Sequence, residues 1–239
     1  MTESYTWLIT GTSRGLGLEI VRQLLQSPTN TVIAACRAPE KASSLQSLKN
    51  DAKGFLHVLE MDTSNEESIE ASATRLKDIL GVKGGVDYLI NNAGLLEGGH
   101  SVTAFNFSAS SLRRELETNV VGHAIVAKTY LPFVEKGKRK IIVNMTSGLA
   151  SIGSDSGATY ATYSLSKTAL NMLTTKQAKA RPDFICFCVD PGWVKTDMGG
   201  KDALLEPHES VSHILKLVTN ATSESSGQFL RYDGKVLPW

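Results

Sequence analysis

The chain has 239 residues, 25 Lys and Arg against 24 Asp and Glu for a formal net charge of +1, 41% hydrophobic and 21% charged residues, and 3 cysteines. These values exclude a disordered chain, a collagen repeat and a disulfide scaffold, which need low hydrophobicity with high net charge, about one-third Gly, and Cys above roughly 8% respectively. Near-neutral charge, with the one basic cluster from Lys136 to Lys140 broken by Gly137, gives no electrostatic drive toward nucleic acid or an anionic membrane. No apolar stretch reaches the roughly 18 residues that span a bilayer, and Met-Thr-Glu-Ser-Tyr-Thr at the N-terminus lacks the charged and apolar regions of a signal peptide. The expectation is a soluble, cytoplasmic protein. Cys36, Cys186 and Cys188 lie in runs that read as buried strands, so they are expected to be reduced thiols with no metal.

Short β-branched or apolar runs alternate with longer amphipathic segments from end to end, which predicts βαβ units and a parallel sheet. Strands are expected over 5–10, 31–36, 54–61, 86–91, 139–145, 184–190 and 227–230, and helices over 15–26, 40–50, 65–80, 109–134, 159–180 and 208–219. Trp7-Leu-Ile-Thr10, Tyr88-Leu-Ile90 and Ile141-Ile-Val-Asn144 are apolar without alternation, as strands covered on both faces must be. No internal repeat or linker divides the chain. The fold class expected is therefore α/β, a single domain over 1–239 built as a Rossmann-type doubly wound parallel sheet of about seven strands with helices on both faces. Two segments read as sizeable surface loops, 148–158 and 193–207, and the second, with Gly199 and Gly200, is expected to be a movable lid.

The first strand runs into Thr10-Gly-Thr-Ser-Arg-Gly-Leu-Gly17 and then into a helical run. Glycines let the backbone approach a ligand closely, and the N–H groups and dipole at a helix start favour a pyrophosphate. Strand four ends in Asn91-Asn-Ala-Gly94, strand five in Asn144-Met-Thr-Ser147 and strand six in Asp190-Pro-Gly192. All three fall at the carboxyl ends of parallel strands, where open α/β sheets bind ligands. Tyr163-Ser-Leu-Ser-Lys167 opens a helix, and the four-residue spacing puts Tyr163 and Lys167 on one face. A cation beside a phenol lowers its pKa, so Tyr163 can exchange a proton with a carbonyl or an alcohol. Tyr160, four residues before Ser164, has no such partner.

Together, residues 10–17 in a TGxxxGxG pattern, the NNAG of 91–94, Asn119, Ser147, Tyr163 with Lys167, and Pro191-Gly192 resemble the short-chain dehydrogenase/reductase family over nearly the whole chain. Tyr232-Asp-Gly-Lys-Val-Leu-Pro-Trp239 and Asp190-Pro-Gly-Trp-Val-Lys-Thr-Asp-Met-Gly-Gly200 are similar to the carbonyl-reductase branch that includes the C-factor and sniffer proteins. The resemblance implies a reductase in which NADP(H) delivers hydride to a ketone or aldehyde carbon and Tyr163 delivers the proton. It gives Ser147 the substrate oxygen, Lys167 the nicotinamide ribose and the tuning of Tyr163, and Asn119 a water that links Lys167 to solvent. It lays the cofactor along Gly11, Ser13, Arg14, Gly15, Leu16 and Gly17, then Asp62, Asn92, Ala93 and Gly94, and Pro191, Gly192, Val194 and Thr196, with Asp62 at the adenine and Thr196 near the carboxamide.

The second strand ends Ala34-Ala-Cys36-Arg37, with no acid where a ribose 2′-hydroxyl would be read. Arg37 and Arg14 instead offer cations to a 2′-phosphate, which favours NADPH over NADH. Trp193, Val194, Met198, Leu204 and Leu205 suggest a pocket for a hydrophobic carbonyl compound. The span from Ser147 to Tyr163 is long for the family, which bears on pocket shape. The branch carries a second reading, a dinucleotide-binding signalling module with little or no turnover; it includes monomers, while the helices around 110–134 and 159–180 match the family's usual dimer surface, so the chain is expected as a monomer or a homodimer.

Overall fold

The computed structural model describes residues 3–239. Seven strands, β1 (Tyr5–Thr10), β2 (Asn30–Cys36), β3 (Phe55–Glu60), β4 (Tyr88–Asn91), β5 (Ile141–Met145), β6 (Ile185–Asp190) and β7 (Phe229–Arg231), form one parallel sheet in the order β3-β2-β1-β4-β5-β6-β7. Helices cover both of its faces. β4 and β5 are buried at every residue because the sheet is covered on both sides, whereas β3 at the edge exposes Phe55 and Glu60. The chain divides by its internal contacts into two compact units, one containing Met1–Ala93 and Ile125–Val143 and the other Gly94–Ala124 and Asn144–Trp239.

In the first unit, α1 (Gly15–Leu24) buries Ile20, Val21 and Leu24, and α3 (Glu66–Leu80) buries Ile69 and Leu76. The start of α3 follows from its sequence: the Asn65 side chain accepts the Ser68 N–H at 3.0 Å, and Glu66 and Glu67 occupy the first turn, where the helix dipole favours acids. The Asp87 carboxylate accepts the N–H of Thr6 at 2.8 Å and of Lys138 at 2.6 Å, tying β1 to the approach of β5. The helix expected over 40–50 is instead a 3₁₀ turn at Pro39–Lys41 followed by the five-residue α2 (Ser43–Ser47). Three serines at 43, 44 and 47 are weak helix formers that bond locally, as Ser47 Oγ does to the Ser44 carbonyl.

In the second unit the region expected as one helix over 109–134 begins as α4 (Ala109–Leu116) and passes through a π-turn at Glu117–Val121 before α5 (Gly122–Val134). α6 (Ala161–Ala180) and α7 (Pro207–Thr219) complete the helices, the latter with Pro207 in its first turn and the Glu209 side chain accepting the Glu206 N–H at 3.1 Å. The last residues pack back on β7, Leu237 N–H donating to the Phe229 carbonyl and Trp239 stacking on Phe229 at 5.6 Å. They also hold the loop after β5, since the Pro238 carbonyl accepts the Ser151 hydroxyl and the Trp239 carbonyl the Gly153 N–H, both at 2.7 Å. Among the described residues no helix is long and apolar enough to cross a membrane.

Gly17 shows how tightly the first βα turn closes. A Cβ there would lie 2.3 Å from the Gly11 carbonyl oxygen and 2.6 Å from Asn92 Nδ2. Gly17→Ala should lower stability by about 1–3 kcal/mol through forced displacement of backbone, read as a lower midpoint in denaturant unfolding. A midpoint equal to the parent's would refute the close approach.

Candidate active site

Two sets of residues are built on these elements. In the first unit, Thr10 ends β1 and its hydroxyl accepts the N–H groups of Asn92 and Ala93, each at 3.0 Å, while Asn92 Nδ2 donates to the Thr10 and Gly11 carbonyls at 2.9 and 3.2 Å. The NNAG segment is thereby fastened to the glycine turn. Gly11 has φ of +71°, and a Cβ would lie 2.8 Å from the Ala93 Cα, so Gly11 and Ala93 meet through bare backbone. α1 then opens at Gly15 with Arg14 at its cap, no capping side chain and no acid in the first turn. Its leading N–H groups and dipole suit an anion.

Ser13 and Arg14 are exposed and Leu16 is half-buried along the same turn. Arg37 is exposed directly after the buried Cys36. Asp62 accepts from the N–H and hydroxyl of Ser64 at 3.0 and 2.7 Å, which leaves it oriented at the end of β3. Backbone closed without side chains, a helix start without an acid, and exposed arginines beyond it fit a phosphorylated dinucleotide. Burial raises the thiol pKa of Cys36, and pushes those of Cys186 and Cys188 up to about 12.

The second unit holds Asn119, Ser147, Tyr163 and Lys167. Tyr163 and Lys167 are both buried on one face of α6, with Lys167 Nζ 5.7 Å from the centre of the Tyr163 ring. Lys167 Nζ donates to the Met145 carbonyl at 2.8 Å, and Thr146, directly after β5, donates its hydroxyl to Asn171 Oδ1 at 2.8 Å. Ser147 follows, half-buried, its Oγ accepting the Leu149 N–H at 3.2 Å. Asn119 is wholly buried: its Oδ1 accepts the Leu95 N–H at 2.7 Å, and its Nδ2 donates to the Leu95 carbonyl at 2.8 Å and to Ser166 Oγ at 2.9 Å. Ser166 in turn donates to the Tyr163 carbonyl at 2.8 Å. The π-turn at Glu117–Val121 accompanies these bonds, which pair both ends of the Asn119 side chain with protein.

The electrostatics differ from the sequence expectation. Lys167 was expected to hold the phenol pKa down, but burial pushes the ammonium itself down to about 7 and leaves it weakly charged at neutral pH. Burial first, then the carboxylates of Asp190 and Glu115, raise the Tyr163 phenol above its ordinary 10. The phenol is therefore protonated at neutral pH. Asp190 is itself raised by burial, with Oδ1 accepting the Gly192 N–H at 3.1 Å.

Pro191 is fixed by Ser210, which donates to its carbonyl at 2.7 Å, and Gly192 takes φ of +76°. Thr196 Oγ1 accepts the Gly199 N–H at 3.1 Å, Trp193 Nε1 donates to the Gly199 carbonyl at 2.7 Å, and a parallel bridge joins Val194 to Leu205. The segment 193–207 is thus bonded to itself. Tyr160, by contrast, takes φ of 55° before α6 and packs edge-on against His100. Sequence reasoning missed Glu115 and the bracing pair Thr146 and Asn171. Glu115 lies four residues before Asn119, a helical spacing that was legible, but its partners are backbone groups with no sequence signal.

A seven-stranded parallel sheet with a bare glycine turn and a buried Tyr-x-x-x-Lys pair defines a dinucleotide-binding oxidoreductase fold. The family model for short chain dehydrogenase matches residues 6–206, and the chain belongs to the short-chain dehydrogenase/reductase family, in its carbonyl-reductase branch. The carbonyl reductase Sniffer of D. melanogaster superposes with a TM-score of 0.93 at 30% identity, over 99% of this chain and 100% of that one. The NADPH bound carbonyl reductase from chicken fatty liver superposes with a TM-score of 0.91 at 31% identity, over the full length of both. C-signal of Myxococcus xanthus is 35% identical over 159 residues, 65% of this chain and 94% of the relative. The chain is an oxidoreductase of this family.

Lys167 supplies a pH test of this site. Its pKa is about 7 folded and about 10.5 unfolded, so between those values the unfolded chain holds a proton that the folded chain lacks, and stability rises with pH. The penalty of burying the ammonium is full below about 7 and is relieved on going up. The raised Tyr163 acts oppositely, but only above about 10. Relative to Lys167→Met, which removes the titration, the parent should gain about 2 kcal/mol of unfolding free energy between pH 7 and 9. Parallel curves for the two proteins would disprove the buried, depressed lysine.

Proposed function

We propose that the chain is an NADPH-dependent reductase that converts a ketone or aldehyde on a hydrophobic small molecule to an alcohol. The observation that carries this reading is the buried phenol of Tyr163 on one helix face with Lys167, whose Nζ is bonded to the end of the strand that leads to Ser147. When bound, the reduced nicotinamide supplies hydride to the carbonyl carbon. Ser147 holds the carbonyl oxygen through its hydroxyl, and Tyr163 gives that oxygen its phenolic proton. Lys167 would hold the nicotinamide ribose, whose hydroxyls can accept from the ammonium and favour that form, and the cation in turn would stabilise the phenolate left behind. Asn119 braces Ser166, and through it the turn carrying Tyr163. Arg37 and Arg14 would take the 2′-phosphate, Gly11, Ser13, Gly15, Leu16 and Gly17 the pyrophosphate, Asp62 the adenine and Thr196 the carboxamide, with Asn92, Ala93, Gly94, Pro191, Gly192 and Val194 lying along the rest of the cofactor.

Trp193, Met198 and Leu204 are exposed on the segment after β6 and support an apolar substrate, while Val194 is buried and packs that segment internally. A module without turnover would have no use for a proton donor, its lysine and the strand-end serine together.

Mixing the protein with NADPH and a panel of aryl ketones, quinones and aldehydes, and following loss of the reduced cofactor's absorbance, tests the activity. Tyr163→Phe should bind NADPH nearly as the parent does and turn over at least about a hundredfold more slowly. Retention of most of the activity would rule out this donor. Arg37→Asp should weaken NADPH by roughly 2–3 kcal/mol while changing NADH little, since it removes a charge-assisted contact and adds a repulsion. Titrations in which both cofactors weaken equally would remove Arg37 from the phosphate site.

A further inference from the structure

Residues 232–239 carry none of the groups proposed to handle cofactor or proton, yet they are held closely. After β7 the chain reverses through Gly234, whose φ is +89° and whose N–H donates to the Arg231 carbonyl at 2.8 Å. It then runs back antiparallel to β7. Arg231 N–H donates to the Lys235 carbonyl, Leu230 bridges Val236, and Leu237 N–H donates to the Phe229 carbonyl. Leu237 packs on a buried cluster of Ala150, Cys188 and Phe229, on which Trp239 also stacks through the Phe229 ring.

Ala150 ends the 3₁₀ turn Gly148–Ala150 that directly follows Ser147. Ser147 Oγ accepts the Leu149 N–H at 3.2 Å, so this turn places the oxygen and leaves its hydrogen to donate. The turn is held from two sides. From α6, Thr168 Oγ1 donates to the Ala150 carbonyl at 2.9 Å. From the C-terminal segment, the Pro238 carbonyl accepts the Ser151 hydroxyl and the Trp239 carbonyl accepts the Gly153 N–H, both at 2.7 Å. Ser151 is 7% exposed, and its oxygen already accepts the Ser154 N–H at 3.0 Å, so without Pro238 a buried hydroxyl would lose its acceptor. Residues 151–160 contain no helix or strand, so the order at 151–153 comes from these contacts.

We propose that Leu237, Pro238 and Trp239 are positioning residues of the reductase site: they fix the turn after Ser147, and through it hold the Ser147 hydroxyl where it meets the substrate carbonyl oxygen. This rests on the reading of Ser147 as the group that holds that oxygen. A hydrogen bond to a reacting atom acts fully at one geometry, and a displacement of about 1 Å can cost roughly a hundredfold in rate. Every contact named lies within the second unit, so loosening them spares the glycine turn of the first.

Ser151→Ala, Trp239→Ala and Trp239→Phe are made in the full chain, each in the parent and in Ser147→Ala. In the parent, Ser151→Ala and Trp239→Ala should lower kcat/KM for NADPH-driven reduction of acetophenone, or of the best aryl ketone in the panel, about tenfold, while the Kd for NADPH stays within about twofold. Trp239→Phe keeps a ring on Phe229 and should restore the parent's value. In Ser147→Ala the same substitutions should cost no further activity, because the group they position is gone. Without any substrate, amide exchange at Leu149, Ser151 and Gly153 should quicken at least about tenfold in Ser151→Ala and Trp239→Ala, and stay unchanged at Asn92 and Ala93. Equal losses in both backgrounds overturn the action through Ser147, and unchanged exchange at Gly153 overturns the hold of the C-terminal segment. Should one variant fail to fold, the other carries the comparison. If Ser147→Ala turns over too slowly, binding of 1-phenylethanol to the NADPH-loaded chain replaces the rate and is read the same way. A Ser147→Ala protein as active as the parent refutes the role of Ser147 itself, a failure distinct from equal losses in the two backgrounds.

Discussion

The hydrogen bond from Lys167 Nζ to the Met145 carbonyl is the contact around which the second unit is organised. An ammonium buried to 3% exposure loses its hydration, and the consequence is a pKa pushed down to about 7. Holding such a group in place requires that strand and helix be fixed to each other, and the bonds from Thr146 to Asn171 and from Asn144 Nδ2 to Thr174 Oγ1 at 2.9 Å do so from one strand to one face of α6. The same face carries Ser166, through which Asn119 reaches the turn of Tyr163. With its pKa near neutrality, Lys167 is about half protonated at pH 7, so a small change in its surroundings changes its charge.

The first unit solves a different problem, bringing backbone within reach of a ligand. Gly11 and Gly17 remove the side chains that would separate strand end from helix start, and Thr10 fastens the NNAG segment with one hydroxyl accepting two N–H groups. Packing supplies the rigidity. Trp7 stacks on Tyr88 at 3.7 Å between β1 and β4, and Ser72 and Tyr130 meet at 2.6 Å between α3 and α5. Aromatic stacking adds about 0.5–1.5 kcal/mol beyond the area buried, so this contact also steadies the strands that carry Thr10 and Asn91.

The arrangement separates recognition from chemistry. On the proposed reading the exposed Arg14 and Arg37 would meet a phosphate, while Tyr163 and Lys167, both buried, would handle the proton. Low local polarity strengthens every electrostatic effect on Tyr163, which is why two carboxylates, Asp190 and Glu115, can matter to a group they do not hydrogen-bond.

By itself the sequence determined the alternation of strands and helices, the parallel sheet, the positions of the strand-end motifs and the Tyr163–Lys167 pair. Each of these rests on local periodicity or fixed spacing: seven strands and the helices α1, α3, α6 and α7 lie within a few residues of the periodic runs. Where local signals were weak, as at 40–50 with its three serines, the expected helix broke up. Only the tertiary structure decided the direction of the Tyr163 pKa, the burial of Asn119, the π-turn around it and the grip of Glu115 on Gly98. Those properties depend on desolvation and on contacts between residues 17 to 47 positions apart, quantities that no spacing along the chain encodes.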